Sequence, residues 1–421
     1  MVWYKYKFRD NGYIPYQIFY RDHSAYLLLA DVNDTTTPKK VKWIAKMNFQ
    51  GKFSMKTLDI SSLYNIPYTY GHQSIYANLF RDEILFILGN GNTSDVHEVD
   101  NPAVYSIDPS LNSNPTKLFD IPLPTGFAKF YNSLCILGIG DHVMLSMGGQ
   151  ASDGSEKGAI LWCDRSGNCD EKVNSGNTYY EMLPIFKDGK LRGILVSGHH
   201  SDPKYCEYDT TTQNMTCTTP NVPTTFTPVF QYDPINQRII GHEYGSSTGA
   251  KQYIWYYKLD DVVNKTWNYV DITPSGSLQF PSGDTADLST VNKSSLKIVY
   301  DMDKREYIVL LGVARGGITT AVLNVKLGDL YNKTGYQYTV YEGESEGIFT
   351  SPRGASLERK GDHWEPTVYK RYEVHKSGEW NNLYYQIDPL PQKPKKRNLL
   401  PLIILGGLFI ISIITTRNQS Y

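Results

Sequence analysis

Apolar and polar positions along this chain repeat one figure: two short apolar runs meet at a polar corner that contains aspartate. "NLFRDEILFILGNG" (78–91) is one copy; "QIFYRDHSAYLLLADV" (17–32), "LCILGIGDHVMLSMGG" (134–149) and "LPIFKDGKLRGILVSG" (183–198) are others. "PVFQYDPINQRIIGHEYG" (228–245) and "LKIVYDMDKREYIVLLG" (296–312) continue the series. Runs of this length bounded by turn residues read as hairpins. The corners hold Asp22, Asp82, Asp141, Asp188, Asp233 and Asp301, and a looser seventh copy (356–374) turns at Asp362. Aspartate suits corners because its carboxylate bonds nearby backbone groups. From Asp22 to Asp362 the step averages about 57 residues, a period that marks a repeat architecture.

Each hairpin is followed by a polar loop, an aromatic strand, a turn and a further strand, as in "AVYSIDPS" (103–110), "AILWCDRSGNC" (159–169) and "YIWYYKLDDVVNKTW" (253–267). Each unit therefore reads as a four-stranded antiparallel meander. Strands this short need several neighbours and a packed face, and radial stacking of such sheets makes a β-propeller. The expected fold is all-β: a propeller over residues 1–388. The last unit has room for about three strands after Asp362, and "VWYKYKFR" (2–9) is a strand without a sheet. Pairing the two completes a blade and removes exposed edges. That gives seven blades. With six blades, residues 349–388 form an extra edge or cap.

The sequence resembles the Kelch and galactose-oxidase superfamily of propellers in "HVMLSMGGQ", with its di-glycine Gly148–Gly149, followed by "AILW", and in the looser "YIVLLGVARGG" (307–317). The resemblance implies a fold and not an activity.

Composition agrees with strands, since 13% of residues are aromatic and 33 are tyrosine. With 42 basic and 43 acidic residues, no case for nucleic-acid binding arises. "LLPLIILGGLFIISIITT" (399–416) is uncharged and long enough for a membrane-spanning helix. It follows a Pro/Lys-rich linker (389–398) and precedes a short tail (417–421), and the first residues lack a signal peptide's apolar run. A C-terminal, single-pass anchor is therefore expected. Lys393, Lys395, Lys396 and Arg397 on the propeller side argue for a cytoplasmic propeller. The cysteines argue the other way. Cys163 and Cys169 bracket one hairpin turn and Cys206 and Cys217 the next, which suggests two cross-strand disulfides and an oxidising space outside the cytoplasm, at a cell or virion surface. Sequons at Asn33, Asn92, Asn214, Asn264, Asn292 and Asn332 fall mostly in expected turns and are glycosylation candidates, while Asn418 lies beyond the anchor.

No nucleophile motif, Walker loop or HExxH is present, so no catalytic residue and no cofactor is assigned. "GHHSD" (198–202) and "GHEYG" (241–245) end equivalent strands, so His199, His200, His242 and Glu243 form a candidate metal set. The oxygen-rich loops 92–101 and 282–290 lack EF-hand ligand order. Tyr68, Tyr70, Tyr179, Tyr180, Tyr244, Trp255, Tyr256 and Tyr257 are candidate binding aromatics, Tyr244, Trp255 and Tyr256 foremost, although strand packing accounts for most of them. The expected function is a membrane-anchored, non-enzymatic recognition or attachment protein with a protein or glycan ligand on the propeller loops. One alternative is an enzyme acting on glycans or another polymer at the funnel. Another is a cytoplasm-facing, tail-anchored adaptor of Kelch type.

Overall fold

A computed structural model describes residues 4–385, apart from segments 9–10, 22–23, 37–39, 49–53, 65–66, 69–72, 92–97, 199–201, 225–226, 234–235, 244–250, 280–284, 290–291, 302–305, 316–317, 334–337, 343–345, 349–355, 361–362, 368–370 and 377–378. The expected linker, membrane helix and tail lie outside the described residues, as do Asp22, Asp362, Tyr70, Asn92, His199, His200, Tyr244 and Asn418. Among the described residues no helix is long and apolar enough to cross a membrane.

The architecture is all-β and built on four-stranded antiparallel meanders, consistent with a β-propeller, with units two and three joined in one sheet where Phe130 lies opposite Val99. Unit one runs Tyr13–Arg21, Ser24–Asp31, Val41–Asn48, Ser54–Asp59. Unit two runs Ile75–Ala77, Ile84–Gly91, Glu98–Ile107, Thr116–Asp120. Unit three runs Lys129–Ile139, His142–Gln150, Glu156–Asp164, Cys169–Ser175. Unit four runs Tyr179–Lys187, Lys190–Gly198, Lys204–Asp209, Asn214–Thr218. Unit five runs Pro228–Asp233, Arg238–Glu243, Ile254–Lys258, Tyr269–Asp271. Unit six runs Asn292–Asp301, Glu306–Arg315, Ile318–Lys326, Tyr338–Glu342.

A final sheet joins Glu346–Ile348, Arg371–Lys376 and Glu379–Tyr385 to the N-terminal strand Tyr4–Lys7, with Tyr4 opposite Tyr385 and Lys7 opposite Asn382. The N-terminal strand thus pairs with the last unit as its unpartnered edge required. The looser seventh copy does differ from expectation. Its hairpin, Ser356–Lys360 with His363–Thr367, attaches to unit one through a parallel pairing of Leu357 with Arg21.

Burial follows strand position. Second strands are enclosed on both faces, so Ser24–Asp31 is buried in every residue but its last. This is why they read as continuous apolar runs rather than as alternation. Outer strands such as Ser54–Asp59 are largely exposed and polar. The di-glycine is explained by close approach. A Cβ on Gly148 would strike the Thr178 side chain, and one on Gly149 the Lys129 carbonyl and the Phe127 ring.

Two short helices replace turns that the sequence pattern read as loops. α1 (Leu259–Val263) and α2 (Leu327–Asn332) follow the third strands of units five and six. Each buries its first and fourth residues, Leu259 with Val262 and Leu327 with Leu330. At five and six residues neither is long enough to show a 3.6-residue period.

Candidate functional site

In each meander the first-to-second and third-to-fourth connections lie at one end, called here the corner face. The second-to-third loops and the crossovers to the next unit lie at the other, the loop face. Bonds between units join like ends. Tyr232 Oη donates to the Phe186 carbonyl at 3.3 Å and Tyr331 Oη to Asp233 Oδ2 at 2.6 Å, all near the corner face.

The corner face of units one to three is an ion-pair network. Arg21 pairs with Asp82 and Arg81 with Asp141, so an arginine of one unit meets the corner aspartate of the next. Beneath them Glu83, 9% exposed, receives Arg165 Nη1 at 2.5 Å and Nη2 at 3.1 Å. Asn78 Nδ2 donates to Oε1 of the same carboxylate at 2.9 Å and Ser106 Oγ to Oε2 at 2.5 Å. Burial pushes the Glu83 carboxyl up, but the bonds from Arg165, Ser106 and Asn78 outweigh it and hold the group below its ordinary value. Both carboxylate oxygens of Glu83 are engaged, and through Arg165 they pin unit two to unit three.

The turn that carries Arg165 is closed by the Cys163–Cys169 disulfide, and unit four's equivalent hairpin by Cys206–Cys217. In both, the bonded cysteines sit directly opposite each other across the strand pair, as the bracketing of the turns suggested. Cys135 is buried and takes part in neither disulfide.

The loop face has different chemistry. Among the described residues four glutamates are buried: Glu83, Glu98, Glu181 and Glu243. Three of these, Glu98, Glu181 and Glu243, stand at loop-face ends of strands, in units two, four and five. Glu98 forms an ion pair with Lys129. Glu181 lies on the first strand of unit four, next to Met182, whose N–H donates to Gln73 Oε1 at 3.0 Å. Gln73 in turn donates to the Ile136 carbonyl at 3.4 Å, so it links the first strands of units three and four. Glu243 Oε1 accepts from Thr224 Oγ1 at 3.0 Å and Oε2 from the Tyr253 N–H at 3.3 Å. Its own N–H donates to the Tyr253 carbonyl at 3.1 Å.

The metal set expected from the histidines is not assembled by what is described. His242 and Glu243 are consecutive in a strand, which sends their side chains to opposite faces. Among the described residues no group of three metal-capable side chains converges. Trp255 is fully buried, and Tyr256 is buried where it packs on Tyr331 and Arg238, so neither offers a surface for a ligand. Tyr179 and Tyr257 are likewise core residues. The buried glutamates of the loop face carried no motif. Their only sequence signal was an acidic residue at the edge of an apolar run.

No protein-family model matches the chain, and no curated protein sequence matches it. Solved structures that match include Trypanosoma rangeli sialidase in complex with the inhibitor DANA, at 10% identity and a TM-score of 0.42, covering 76% of this chain and 56% of that one. Oligopeptidase B from Leishmania major matches at 9% identity and 0.45, covering 80% and 43%. Saccharomyces cerevisiae Sqt1 matches at 8% and 0.42, covering 92% and 98%. The chain spans a little over half the length of the sialidase. Sialidases and a peptidase stand among these matches, so the expectation of a non-enzymatic recognition module is not supported. At these identities and scores the matches assign no activity or substrate to this chain, and the Kelch resemblance is supported at the level of fold alone.

Proposed function

We propose that this chain is an enzyme acting on a glycan or a related polymer at its loop face, with Glu181 and Glu243 as the carboxylates to test first. The supporting observation is the placement of Glu98, Glu181 and Glu243, each under a tenth exposed, at the loop-face ends of three units. Buried carboxylates are costly and are retained where paired or where their chemistry is used. Glycoside cleavage needs two of them, one to protonate the leaving oxygen and one to attack or to activate water. Glu98 is ion-paired with Lys129; Glu181 and Glu243, on adjacent units, are the two proposed for that role. On this reading the units form a seven-bladed ring completed by the N-terminal strand, and the two disulfides support residence in an oxidising space, held there by 399–416.

The test is release of reducing sugar or aryl leaving group by the full-length chain from a panel of glycosides and polysaccharides. Turnover by the native chain, falling about 100-fold or more in Glu181→Gln or Glu243→Gln with folding intact, is the expected result. A folded chain without turnover across the panel, or both variants at full rate, overturns the assignment.

A further inference from the structure

Three successive units carry a sequon at the same corner. Beyond the third strand of unit four, which ends at Asp209, the chain turns and reaches Asn214-Met215-Thr216. Beyond the third strand of unit five, which ends at Lys258, α1 leads to Asn264-Lys265-Thr266. Beyond the third strand of unit six, which ends at Lys326, α2 ends in Asn332, followed by Lys333 and Thr334. The asparagines stand five, six and six residues past their strands. In units five and six the equivalence extends to conformation, whereas in unit four the left-handed residue is Gln213, just before the asparagine. Lys265 has φ 58° and Lys333 φ 53°, so both place the residue after the asparagine in the left-handed region. All three asparagines are exposed. Asn214 spends its amide oxygen on Lys172 Nζ at 2.9 Å and on the Met215 N–H at 2.7 Å, bonds that do not use the amide nitrogen.

The second observation is independent of these sequons. Both disulfides lie at this same type of corner, in units three and four. Disulfides persist in oxidising compartments, the space through which glycosylated chains also pass. Exposed asparagine in a tight corner of such a chain is where the modification is sterically tolerated.

We infer that Asn214, Asn264 and Asn332 are N-glycosylated and form a continuous glycan-bearing sector on the corner face of units four to six. In the transfer each Asn Nδ2 bonds to the anomeric carbon of a lipid-pyrophosphate-linked oligosaccharide. The bond from that carbon to the pyrophosphate oxygen breaks, the lipid pyrophosphate leaves, and the amide gives up one proton. The corner faces of units two and three carry no described sequon; their turns hold Asp108-Pro109-Ser110 and Asp164-Arg165-Ser166 instead. The sector is therefore one-sided, and it leaves the buried glutamates of the loop face uncovered.

The experiment takes the full chain from a eukaryotic cell line, digests it, and removes N-glycans enzymatically in ¹⁸O water. Conversion of asparagine to ¹⁸O-labelled aspartate at 214, 264 and 332 is expected, with the Cys163–Cys169 and Cys206–Cys217 peptides disulfide-linked in the same digest. Label at two of the three or more sustains the inference. Label at fewer, with the disulfides formed, overturns it, because the chain then crossed the glycosylating space with its corners untouched. Four free thiols also overturn it. Glycoside turnover is not read in this experiment, so its outcome is separate from that of the proposed activity.

Discussion

Neighbouring units are tied together at the corner face by two different chemistries. In units one to three the ties are charged: Arg21 to Asp82, Arg81 to Asp141, and Arg165 to a buried Glu83. Between units five and six the tie is largely aromatic. The Arg238 guanidinium lies 4.3 Å from the Tyr256 ring centre and 4.0 Å from that of Tyr331, while Tyr331 donates to the fully buried Asp233. The helix α2 makes this possible, because it delivers Tyr331 across the corner of unit five. A shared topology thus fixes where the contacts fall without fixing their chemistry. What sets the chemistry is the third-to-fourth connection: a disulfide-closed turn offers Arg165, and a helix offers a tyrosine.

The contrast breaks most sharply at Arg165. Replacing it with alanine leaves the Glu83 carboxylate buried without its countercharge, a loss worth about 3 kcal/mol. Urea unfolding should show a lowered midpoint with an unchanged slope. The double replacement Arg165→Met with Glu83→Gln should cost less, since no lone buried charge remains. The pH dependence has a definite sign. Glu83 titrates below its ordinary value in the folded chain, so its contribution is complete above the unfolded value of about 4.3 and fades as pH falls through the lower folded one. The gap between wild type and Arg165→Ala should close in that acidic range. A gap as wide at pH 3 as at pH 7 would falsify the ion-pair account.

Much of the corner face was legible in the sequence, and its limits have physical causes. The six corner aspartates stood out as turn residues. Asp233 accepts from the Asn236 N–H, Asp82 and Asp141 pair with arginines instead, and Asp108, Asp164 and Asp209 at third-to-fourth corners each accept from the N–H two residues on. The cysteine pairs were readable because each brackets a single turn. Their partners across units were not. Arg165 and Glu83 are 82 residues apart, and no local rule couples them. The helices escaped because five residues show no period, although "LDDVVNK" (259–265) and "LGDLYNK" (327–333) are alike enough to have been matched with each other. Trp255 and Tyr256 looked like ligand anchors by residue type, and burial decided otherwise.

On the aromatic side, Tyr331→Phe tests how far the tie depends on its one polar bond. Burial, with the Asp233 charge behind it, pushes the phenol well above its usual value, so the hydroxyl stays a donor at every accessible pH. Removing it takes a hydrogen bond to a charged acceptor, worth about 1.5 kcal/mol. The stacking of Arg238 on the ring survives in phenylalanine. Calorimetry should therefore place this variant between wild type and Tyr331→Ala. Equal losses in the two variants would mean the ring contributes nothing, and the contrast between charged and aromatic corners would fail.

The smallest effect is expected within the charged network itself, at Arg81. Its side chain is 46% exposed and that of Asp141 73%, so both charges stay hydrated when they separate. Arg81 also stands 3.9 Å from Glu83 Oε1, too far to replace the forked contact made by Arg165. Pairs of this kind contribute about 0.5 kcal/mol or less, and salt screens them. Arg21 differs although it makes the same type of pair, because its side chain is only 3% exposed and it also donates to the Glu83 carbonyl at 3.4 Å. Arg81→Ala should leave the unfolding midpoint within error at high salt, and Arg21→Ala should lower it at any salt. If the two variants lose the same stability, burial is not what grades this ladder. The repeated "RD" spelling at 21–22 and 81–82 would then carry equal weight in both copies.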